Sequence, residues 1–485
     1  MKYDDSSVLS IKEYGELLID KTFNDVLNLA DITPELKCEI INKVNTSGTK
    51  GGMGHLIEKY HFEYEINNEQ EPDFPKVGME LKVAPFEEKK KGGYKAGERL
   101  VITMISYKDP VIPNLYESHV YKKFRLTLFI HYFRNRDLLR TDYPIKYVTL
   151  FSPPEEDMKI IKEDYEKITQ KIAEGRAHEL SEGDTMYLGA CTKGATAAKS
   201  NVFQEYYAPD VKAKKRAFCF KQSYMTTILN NYVFKKVNTY DSILKSLDAT
   251  NSEQTFENLI ISTINQHVGK TDQQLASEFN LKPGAKNFYS SLAYRMLGIR
   301  SNKAAEFIKA NIEVKAIRIE DSGKMKESIS FPTFEFNEYV KENWEESTFY
   351  NILSSKRFLF VVYKKIGNQY VLKGCKLWNM SNEDLNEVEI GWEAIKNVAI
   401  EGPIFEKKYK KNGEFEITNN FPKKEDHRII HIRPHTSNRY YVLEDGEVIG
   451  INPNDGDTLP DGRIMTKQSF WLNNSYVIKQ IGELI

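Results

Sequence analysis

The stretch DFPKVGMELK, residues 73–82, combines a predicted strand with three charged side chains. Side chains alternate between the two faces of a strand, so Glu80 and Lys82 share one face while the apolar residues beside them face the other way. Asp73 lies seven residues before Glu80, where the end of a strand or a turn can bring its carboxylate alongside. The pattern therefore predicts two carboxylates and an ammonium group in one place.

These three side chains fit metal-assisted hydrolysis of a phosphodiester. Two adjacent carboxylates repel each other, and a divalent cation between them removes that repulsion. Mg²⁺ prefers oxygen ligands and takes one or two protein carboxylates together with phosphate oxygens. Lys82 would orient or deprotonate the attacking water and balance the charge on the pentacovalent phosphate. A D…E-x-K pattern is weakly specific where 28% of the residues are charged, and the alternative is a solvated strand face with an incidental ion pair.

Length and composition bound the class of protein. At 485 residues the chain is too long for one ordinary core, and its 40% hydrophobic and 12% aromatic content predict folded domains. The acidic N-terminus and the short apolar runs predict neither export nor a membrane span. Four widely spaced cysteines indicate neither a disulfide framework nor a zinc site, which favours a reducing cytoplasm.

The formal net charge of -1 argues against a protein that coats polyanions indiscriminately. Local basic clusters nevertheless occur at residues 89–99, 212–216 and 407–411. Each cluster is equally compatible with a solvated loop and with a local binding surface.

The two halves of the chain resemble each other. Four features recur in the same order: MELK at 79–82 with IEVK at 312–315, a strand-like run at 124–133 with one at 356–365, a helix with an acidic start in each half, and KQS plus an aromatic residue at 221–224 and 467–470. A conserved order predicts a duplicated domain. We therefore predict an α/β (α+β) protein with tandem domains at residues 1–240 and 241–485, the second a degenerate copy of the first.

Four motifs of the first half resemble the MutH family. They are KGGMGHLIE (50–58), DFPKVGMELK (73–82), ESHVYKKF (117–124) and YLGACTKGATAAK (187–199), in this order. The doubled chain resembles the two-domain, GATC-cleaving type II restriction enzymes of this family. The resemblance covers most of residues 10–235 and implies a restriction-endonuclease-like fold, with a mixed central sheet flanked by helices in each domain. It also implies Mg²⁺-dependent hydrolysis of DNA, in which Mn²⁺ substitutes for Mg²⁺.

The resemblance implies roles for the charged residues of these motifs. Asp73 and Glu80 would be metal ligands, and Lys82 would be the catalytic lysine. Glu58 would be an accessory acid, and Lys123 a cation that faces a phosphate.

The same resemblance implies which residues of the first half contact DNA. Lys50 would contact DNA from the glycine-rich turn, Lys193 would read a base from the loop after Cys191, and Tyr224 would contact the adenine side. Cys191 stands where the MutH pattern carries an arginine, so recognition here departs from that pattern. Lysine or arginine bound to guanine acceptors is a common source of such specificity.

The second half is predicted to have lost the chemistry. Aligning MELK with IEVK places Glu306, Glu313 and Lys315 opposite the three predicted catalytic residues. The second half, however, lacks the glycines of the first motif. In addition, Tyr294 replaces Glu58, and Ser355 lies opposite Lys123. We therefore expect that this half does not cut DNA.

The second half is nevertheless expected to bind DNA. The segment HIRPHTSNR at 431–439 occupies the place of the first-half reading loop, and its Arg433 and His435 resemble the reading residues of MutH. Binding without chemistry describes an effector module, which would bind a second recognition site and favour the active arrangement of the first half.

One active centre cuts one strand, so we expect a free monomer that pairs on double-stranded DNA, with a cognate DNA methyltransferase in the same system. Other interpretations remain. They are a strand-nicking repair endonuclease, a non-catalytic DNA-binding regulator, a chain with two working centres, and a hydrolase of small phosphoesters.

Overall fold

The computed structural model describes residues 2–46, 52–64, 71–89, 92–194, 200–236, 240–249, 253–326, 328–411 and 413–485. The chain forms two compact units. The first unit comprises Met1–Thr255 and Lys303–Asn311, and the second comprises Phe256–Asn302 and Ile312–Ile485. Residues 241–255 and 303–311, which the sequence assigned to the second domain, thus group with the first unit.

The α-helices of the described residues are, in chain order, α1 (Val8–Glu16), α2 (Phe23–Leu29), α3 (Pro34–Asn45), α4 (Gly52–Tyr60), α5 (His119–Phe124), α6 (Glu155–Ala173), α7 (Gln222–Ile228), α8 (Ile243–Ser246), α9 (Phe256–Asn265), α10 (Asp272–Glu278), α11 (Phe288–Met296), α12 (Ala305–Ala310), α13 (Phe336–Tyr339), α14 (Thr348–Ser355), α15 (Asn382–Glu401) and α16 (Asn474–Gln480). Local sequence explains several of their starts. Thr22 and Asp25 form a capping box at α2, and Thr271 and Gln274 form one at α10. No helix in this part of the chain is both long and apolar enough to cross a membrane.

The strands are β1 (Glu80–Glu88), β2 (Tyr94–Ala96), β3 (Leu100–Met104), β4 (Thr127–Phe133), β5 (Ile145–Phe151), β6 (Leu188–Thr192), β7 (Asn201–Gln204), β8 (Ala208–Lys214), β9 (Arg216–Phe220), β10 (Ile312–Ile319), β11 (Ile329–Thr333), β12 (Arg357–Ile366), β13 (Gln369–Trp378), β14 (Phe405–Tyr409), β15 (Phe415–Asn419), β16 (Ile430–Pro434), β17 (Tyr441–Val442), β18 (Val448–Ile449), β19 (Gly456–Thr458), β20 (Ile464–Thr466) and β21 (Gln468–Leu472).

A mixed sheet positions the predicted catalytic residues of the first unit. Its order is β2-β1-β4-β5, with β1 parallel to β4 and the other pairs antiparallel. Leu81 on β1 and Leu128 on β4 belong to a buried apolar cluster that also contains Leu56 and Ile57 of α4. One face of β1 therefore packs in the core, which leaves the side chains of Glu80 and Lys82 on the opposite face.

The second unit repeats this architecture. In its sheet β10-β12-β13, the central strand β12 is parallel to β10 and antiparallel to β13. In the first unit, β4 is likewise parallel to β1 and antiparallel to β5. The antiparallel sheet β11-β21-β16 likewise corresponds to β3-β9-β6. The predicted α/β fold of two restriction-endonuclease-like domains with mixed sheets is confirmed.

The structure corrects one match between the halves. In the first unit, KQSY at 221–224 follows β9 and begins α7, whereas KQSF at 467–470 runs into strand β21. The residues that follow β21 and begin α16 are instead NSY at 474–476. Tyr476 is therefore the structural counterpart of Tyr224.

Both tyrosines anchor the start of the long helix of their own unit. The Tyr224 hydroxyl donates a hydrogen bond to Oδ2 of Asp157 at 3.0 Å, and the Tyr476 hydroxyl donates one to Oδ2 of Asp384 at 2.8 Å. Asp157 lies in the first turn of α6 and Asp384 in the first turn of α15. The shared contact supports the duplication independently of strand order.

Candidate active site

The turn before β1 brings two carboxylates together. The Asp73 backbone N–H donates to Oε2 of Glu80 at 3.3 Å, and the Leu81 backbone N–H donates to Oδ2 of Asp73 at 2.9 Å. Gly78 closes the turn with φ of 63°, and a Cβ at that position would lie 1.9 Å from a guanidinium nitrogen of Arg125. The positive φ therefore favours glycine in the turn that brings Asp73 to Glu80.

Two lysines neutralise part of this charge. Lys82 Nζ lies 2.7 Å from Oε1 of Glu80, as expected for side chains two residues apart on a strand. Lys123, on α5, places its Nζ 3.4 Å from Oε2 of the same carboxylate. Glu80 itself is only 2% exposed. Its buried charge is thus held between two ammonium groups.

Glu58 completes the cluster from helix α4. Burial raises the pKa of Glu58, the charge of Lys82 opposes that rise, and the charge of Glu80 adds to it. Burial and the charge of Glu80 likewise raise the pKa of Asp73 to about 7. Burial is the largest cause of both shifts, and repulsion from the neighbouring carboxylate of Glu80 adds to each.

This carboxylate cluster fits a divalent cation. Asp73 and Glu80 offer oxygen ligands, and the pKa of Asp73 is raised first by burial and then by repulsion from Glu80, which a cation would relieve. In the described ranges, no group of three or more His, Cys, Asp or Glu side chains is arranged to hold a metal ion by itself. A pair of carboxylates is nevertheless what Mg²⁺ commonly takes from a protein that also supplies phosphate oxygens.

The second unit holds a related but differently charged cluster. Oε1 of Glu313 lies 2.6 Å from Lys315 Nζ, and its Oε2 lies 2.5 Å from Lys356 Nζ. Lys356 thus makes the contact that Lys123 makes in the first unit, whereas the sequence alignment had placed Ser355 there. Burial and the charge of Glu313 raise the pKa of Tyr294 to about 12, so this phenol takes the place of a carboxylate.

Glu306 does not act as the counterpart of Asp73. Its carboxylate accepts hydrogen bonds from the Ser242 hydroxyl at 2.7 Å and from the backbone N–H groups of Ile243 and Leu244 at 3.0 and 3.3 Å. It therefore caps helix α8 within the first unit. The position predicted from spacing alone is corrected by this use of the side chain.

The two clusters differ in their ratio of acidic to basic side chains. The first holds three carboxylates and two lysines, and the second holds one carboxylate and two lysines. Burial by itself would raise the pKa of Glu313, but Lys315 and Lys356 lower it overall. The first cluster therefore offers more carboxylate oxygens to a cation than the second does.

The predicted DNA-reading residues differ in their exposure and contacts. Lys193 follows β6 and is partly exposed, while Lys50 lies outside the described residues. Tyr224 is 1% exposed and its hydroxyl is bonded to Asp157, so its predicted adenine contact is corrected to a structural role. In the second unit, Arg433 and His435 are exposed at the end of β16.

Arg433 and His435 share a neighbour that sequence reasoning missed. The Arg433 guanidinium lies 3.8 Å from the ring centroid of Trp471, and the His435 ring lies 5.3 Å from the same ring. His435 Nδ1 is also 2.6 Å from the Ser469 hydroxyl. The sequence alone does not show that Trp471 on β21 lies beside these two residues, because the contact depends on the register between β16 and β21.

Tyr64 is a second residue that sequence reasoning missed. Burial raises its pKa, and the charges of Asp73, Glu58 and Glu80 raise it further, which places its phenol beside the carboxylates. Its ring also packs edge-on against Phe74. The only sequence signal was an aromatic residue shortly after Glu58.

A carboxylate-bearing turn followed by a Glu-x-Lys strand, set in a duplicated mixed-sheet fold, defines a nuclease of the restriction-endonuclease-like class. A family model described as the DNA mismatch repair enzyme MutH matches residues 62–164 and 297–389, one segment in each half. The type II restriction enzyme Sau3AI of Staphylococcus aureus is 34% identical over 466 residues, which is 90% of this chain and 93% of that protein.

Two mismatch repair proteins are similar over shorter spans. The DNA mismatch repair protein MutH of Vibrio campbellii is 25% identical over 242 residues, 47% of this chain and 96% of that protein. The MutH protein of Shewanella woodyi is 30% identical over 155 residues, 32% of this chain and 65% of that protein. The chain belongs to the MutH-related family of type II restriction endonucleases, and it is a site-specific deoxyribonuclease.

Proposed function

We propose that this enzyme makes Mg²⁺-dependent double-strand cuts at GATC, with the first unit as catalytic domain and the second as an effector that binds another copy of the site. The observation that carries this proposal is the convergence of Asp73, Glu80 and Lys82 around one buried point, with Glu58 and Lys123 beside it. The choice of GATC rests on the resemblance to two-domain enzymes of that specificity.

The residues of the first cluster divide the work. Asp73 and Glu80 would hold Mg²⁺, which when bound supplies positive charge at the scissile phosphate. Lys82 orients the attacking water with its ammonium group and balances charge as the phosphate becomes pentacovalent. Lys123 draws the phosphate toward Glu80 by its positive charge. Glu58, whose pKa is raised chiefly by burial, assists as an accessory acid.

The second cluster supports an effector role. Its single carboxylate is balanced by two lysines, so it lacks the excess negative charge that attracts a cation. Arg433 and His435 remain exposed on the strand that corresponds to the reading strand of the first unit. Retained reading residues without the metal ligands favour binding over cutting.

A single catalytic cluster cuts one strand at a time. Cleavage of both strands of a palindrome therefore requires two first units that meet on the DNA. We propose a monomer in solution that pairs on its substrate, in a system that also contains a methyltransferase to protect host GATC sites.

Digestion of mapped plasmids tests this proposal. With Mg²⁺ and DNA that lacks adenine methylation, we expect fragments whose sequenced ends all lie at GATC, and none when EDTA is present. A plasmid with two GATC sites should be cut faster per site than a plasmid with one. Equal rates would exclude the effector role, and ends at other sequences would exclude the proposed specificity.

A further inference from the structure

The β7–β8 hairpin presents one face of lysine and aromatic side chains to solvent. Asn201 pairs with Lys214 and Phe203 with Lys212, so these four side chains share a face. Phe203 is 47% exposed, and Lys212 Nζ lies 4.8 Å above the centre of its ring. We call the surface formed by Asn201, Phe203, Lys212 and Lys214 the hairpin face.

The opposite side of the hairpin is fixed to the first unit. Ala213 is 2% exposed, and Gln204, also buried, accepts a hydrogen bond from the Ala177 backbone N–H at 2.9 Å. The Tyr107 hydroxyl donates to the Lys214 carbonyl at 3.0 Å, and the Tyr206 backbone N–H donates to the Tyr107 carbonyl at 3.0 Å. The hairpin face is therefore held in a set orientation.

The base of the hairpin is joined to the segment that carries Lys193, the predicted base reader. The Lys193 backbone N–H, just beyond the end of β6, donates to the carbonyl of Lys215 at 2.8 Å. Lys215 is exposed and lies directly between β8 and β9. A DNA duplex contacted by Lys193 would thus meet a surface that begins at Lys214, the residue next to Lys215.

Lys212, on the hairpin face, and the neighbouring Lys215 carry positive charge at the surface. None of the described residues gives Lys212 or Lys215 a carboxylate partner within salt-bridge distance. Of the two carboxylates on the hairpin, Glu205 is paired with Lys108 at 3.2 Å. The other carboxylate, Asp210, lies where the strand pairing is irregular, between the Phe203–Lys212 pair and the Gln204–Ala208 pair.

We propose that the hairpin face binds the sugar-phosphate backbone of duplex DNA beside the recognition sequence. This inference rests on the proposed function, because it takes duplex DNA as the substrate of the same unit. Lys212 and Lys214 supply charge to phosphates, and Phe203 supports Lys212 while offering its edge to a sugar. Such contacts add affinity and fix register without reading sequence.

Binding measurements on the full-length chain test this assignment. Fluorescence anisotropy with EDTA, so that no strand is cut, would follow binding of a 30-base-pair duplex with one GATC and of a matched duplex without it, from about 50 to 200 mM KCl. For Lys212→Ala we expect about 3- to 10-fold weaker binding to both duplexes and a salt slope shallower by about 0.9. Phe203→Ala should weaken binding to both duplexes without changing the slope.

Lys146→Ala is the matched control, because Lys146 is an exposed lysine whose charge is already paired with Asp20 at 2.9 Å. It should leave affinity and salt slope as in the unmodified chain. Unchanged binding by Lys212→Ala, while the unmodified chain binds normally, would overturn the hairpin assignment alone. Unchanged DNA binding with loss of chain pairing would also overturn it and assign the surface to a second protein copy. Failure of the unmodified chain to bind either duplex would instead overturn the proposed function.

Discussion

The backbone N–H of Asp73 donates a hydrogen bond to the side chain of Glu80 at 3.3 Å, so the two predicted metal ligands are held together by the turn that separates them. Their relative position is set by the chain itself before any cation or DNA arrives. Such pre-organisation favours catalysis, because a small misplacement of a catalytic group costs a large factor in rate.

Holding like charges together should reduce stability in the absence of a cation. We predict that Asp73→Asn raises the free energy of unfolding of the metal-free enzyme by about 1 kcal/mol, since it removes a carboxylate that Glu80 repels. The same change should lower cleavage at least about 100-fold. Chemical denaturation and plasmid cleavage, measured on the same preparation, check both effects. A less stable variant would argue against repulsion between these carboxylates.

Mg²⁺ should stabilise the enzyme through this cluster. A ligand that binds only the folded state raises the melting temperature, and the rise grows with the logarithm of the ligand concentration once it exceeds the Kd. We expect added Mg²⁺ to raise the melting temperature of the unmodified chain and of Glu313→Gln, but not of Glu80→Gln. Thermal unfolding in increasing Mg²⁺ measures this. An equal response of the two variants would show that the first cluster is not the binding site.

Tyr224 should matter for stability and not for recognition. Tyr224→Phe removes the donor to the buried Asp157 carboxylate, which should cost about 1–2 kcal/mol of the free energy of unfolding. Tyr476→Phe, the matched change at Asp384, should cost a similar amount. Sequenced cleavage ends should stay the same in both variants. An altered cleavage sequence with unchanged stability would restore Tyr224 as a DNA contact.

A buried histidine should make the fold sensitive to acid. His131, on β4, is 2% exposed, and burial lowers its pKa to about 4. Between that value and its usual pKa of 6.5, the unfolded chain binds a proton that the folded chain does not. Stability from this group is therefore complete above pH 6.5 and decreases as the pH falls toward 4, by about 3 kcal/mol in all.

Urea denaturation of the unmodified chain and of His131→Gln, at pH 7 and pH 5, measures that loss. The unmodified chain should lose more stability between these values than the variant, whose side chain cannot take up a proton. Identical losses would show that His131 does not titrate differently in the two states.

Arg433 should bind the second copy of the recognition sequence. The residue is exposed, and its guanidinium lies 3.8 Å from the ring centroid of Trp471. We predict that Arg433→Ala removes the advantage of a two-site plasmid and leaves the rate on a one-site plasmid unchanged. Cleavage time courses on the two plasmids, with Lys341→Ala as an exposed control in the second unit, provide the comparison. Loss of one-site cleavage would instead make Arg433 part of the catalytic assembly.

The alternation in MELK and the repeated order of segments were sufficient to predict the two-domain fold. They depend on local periodicity and on chain order, which the sequence displays directly. The spacing of Asp73 from Glu80 also predicted their approach, because Gly78 permits the turn that joins them.

The same spacing misled the prediction for Glu306. Residues 305–310 contain no glycine and form helix α12. From this helix, Glu306 accepts hydrogen bonds at the start of α8. The KQS motif misled the prediction for Tyr224, because its short identity falls in a helix start in one unit and at a strand in the other. Short polar sequence matches do not establish which residues of the two units correspond. The buried contacts Tyr224–Asp157 and Tyr476–Asp384 do.

Comparison of Glu80→Ala with Glu313→Ala tests the central claim most directly, since each glutamate lies between two lysines at the start of an equivalent strand. With Mg²⁺ and a two-site GATC plasmid, we predict that Glu80→Ala abolishes cleavage of both strands and that Glu313→Ala still cuts both. Cleavage by Glu80→Ala at the unmodified rate, or at half that rate with a matching loss in Glu313→Ala, would contradict a single catalytic centre at Asp73, Glu80 and Lys82.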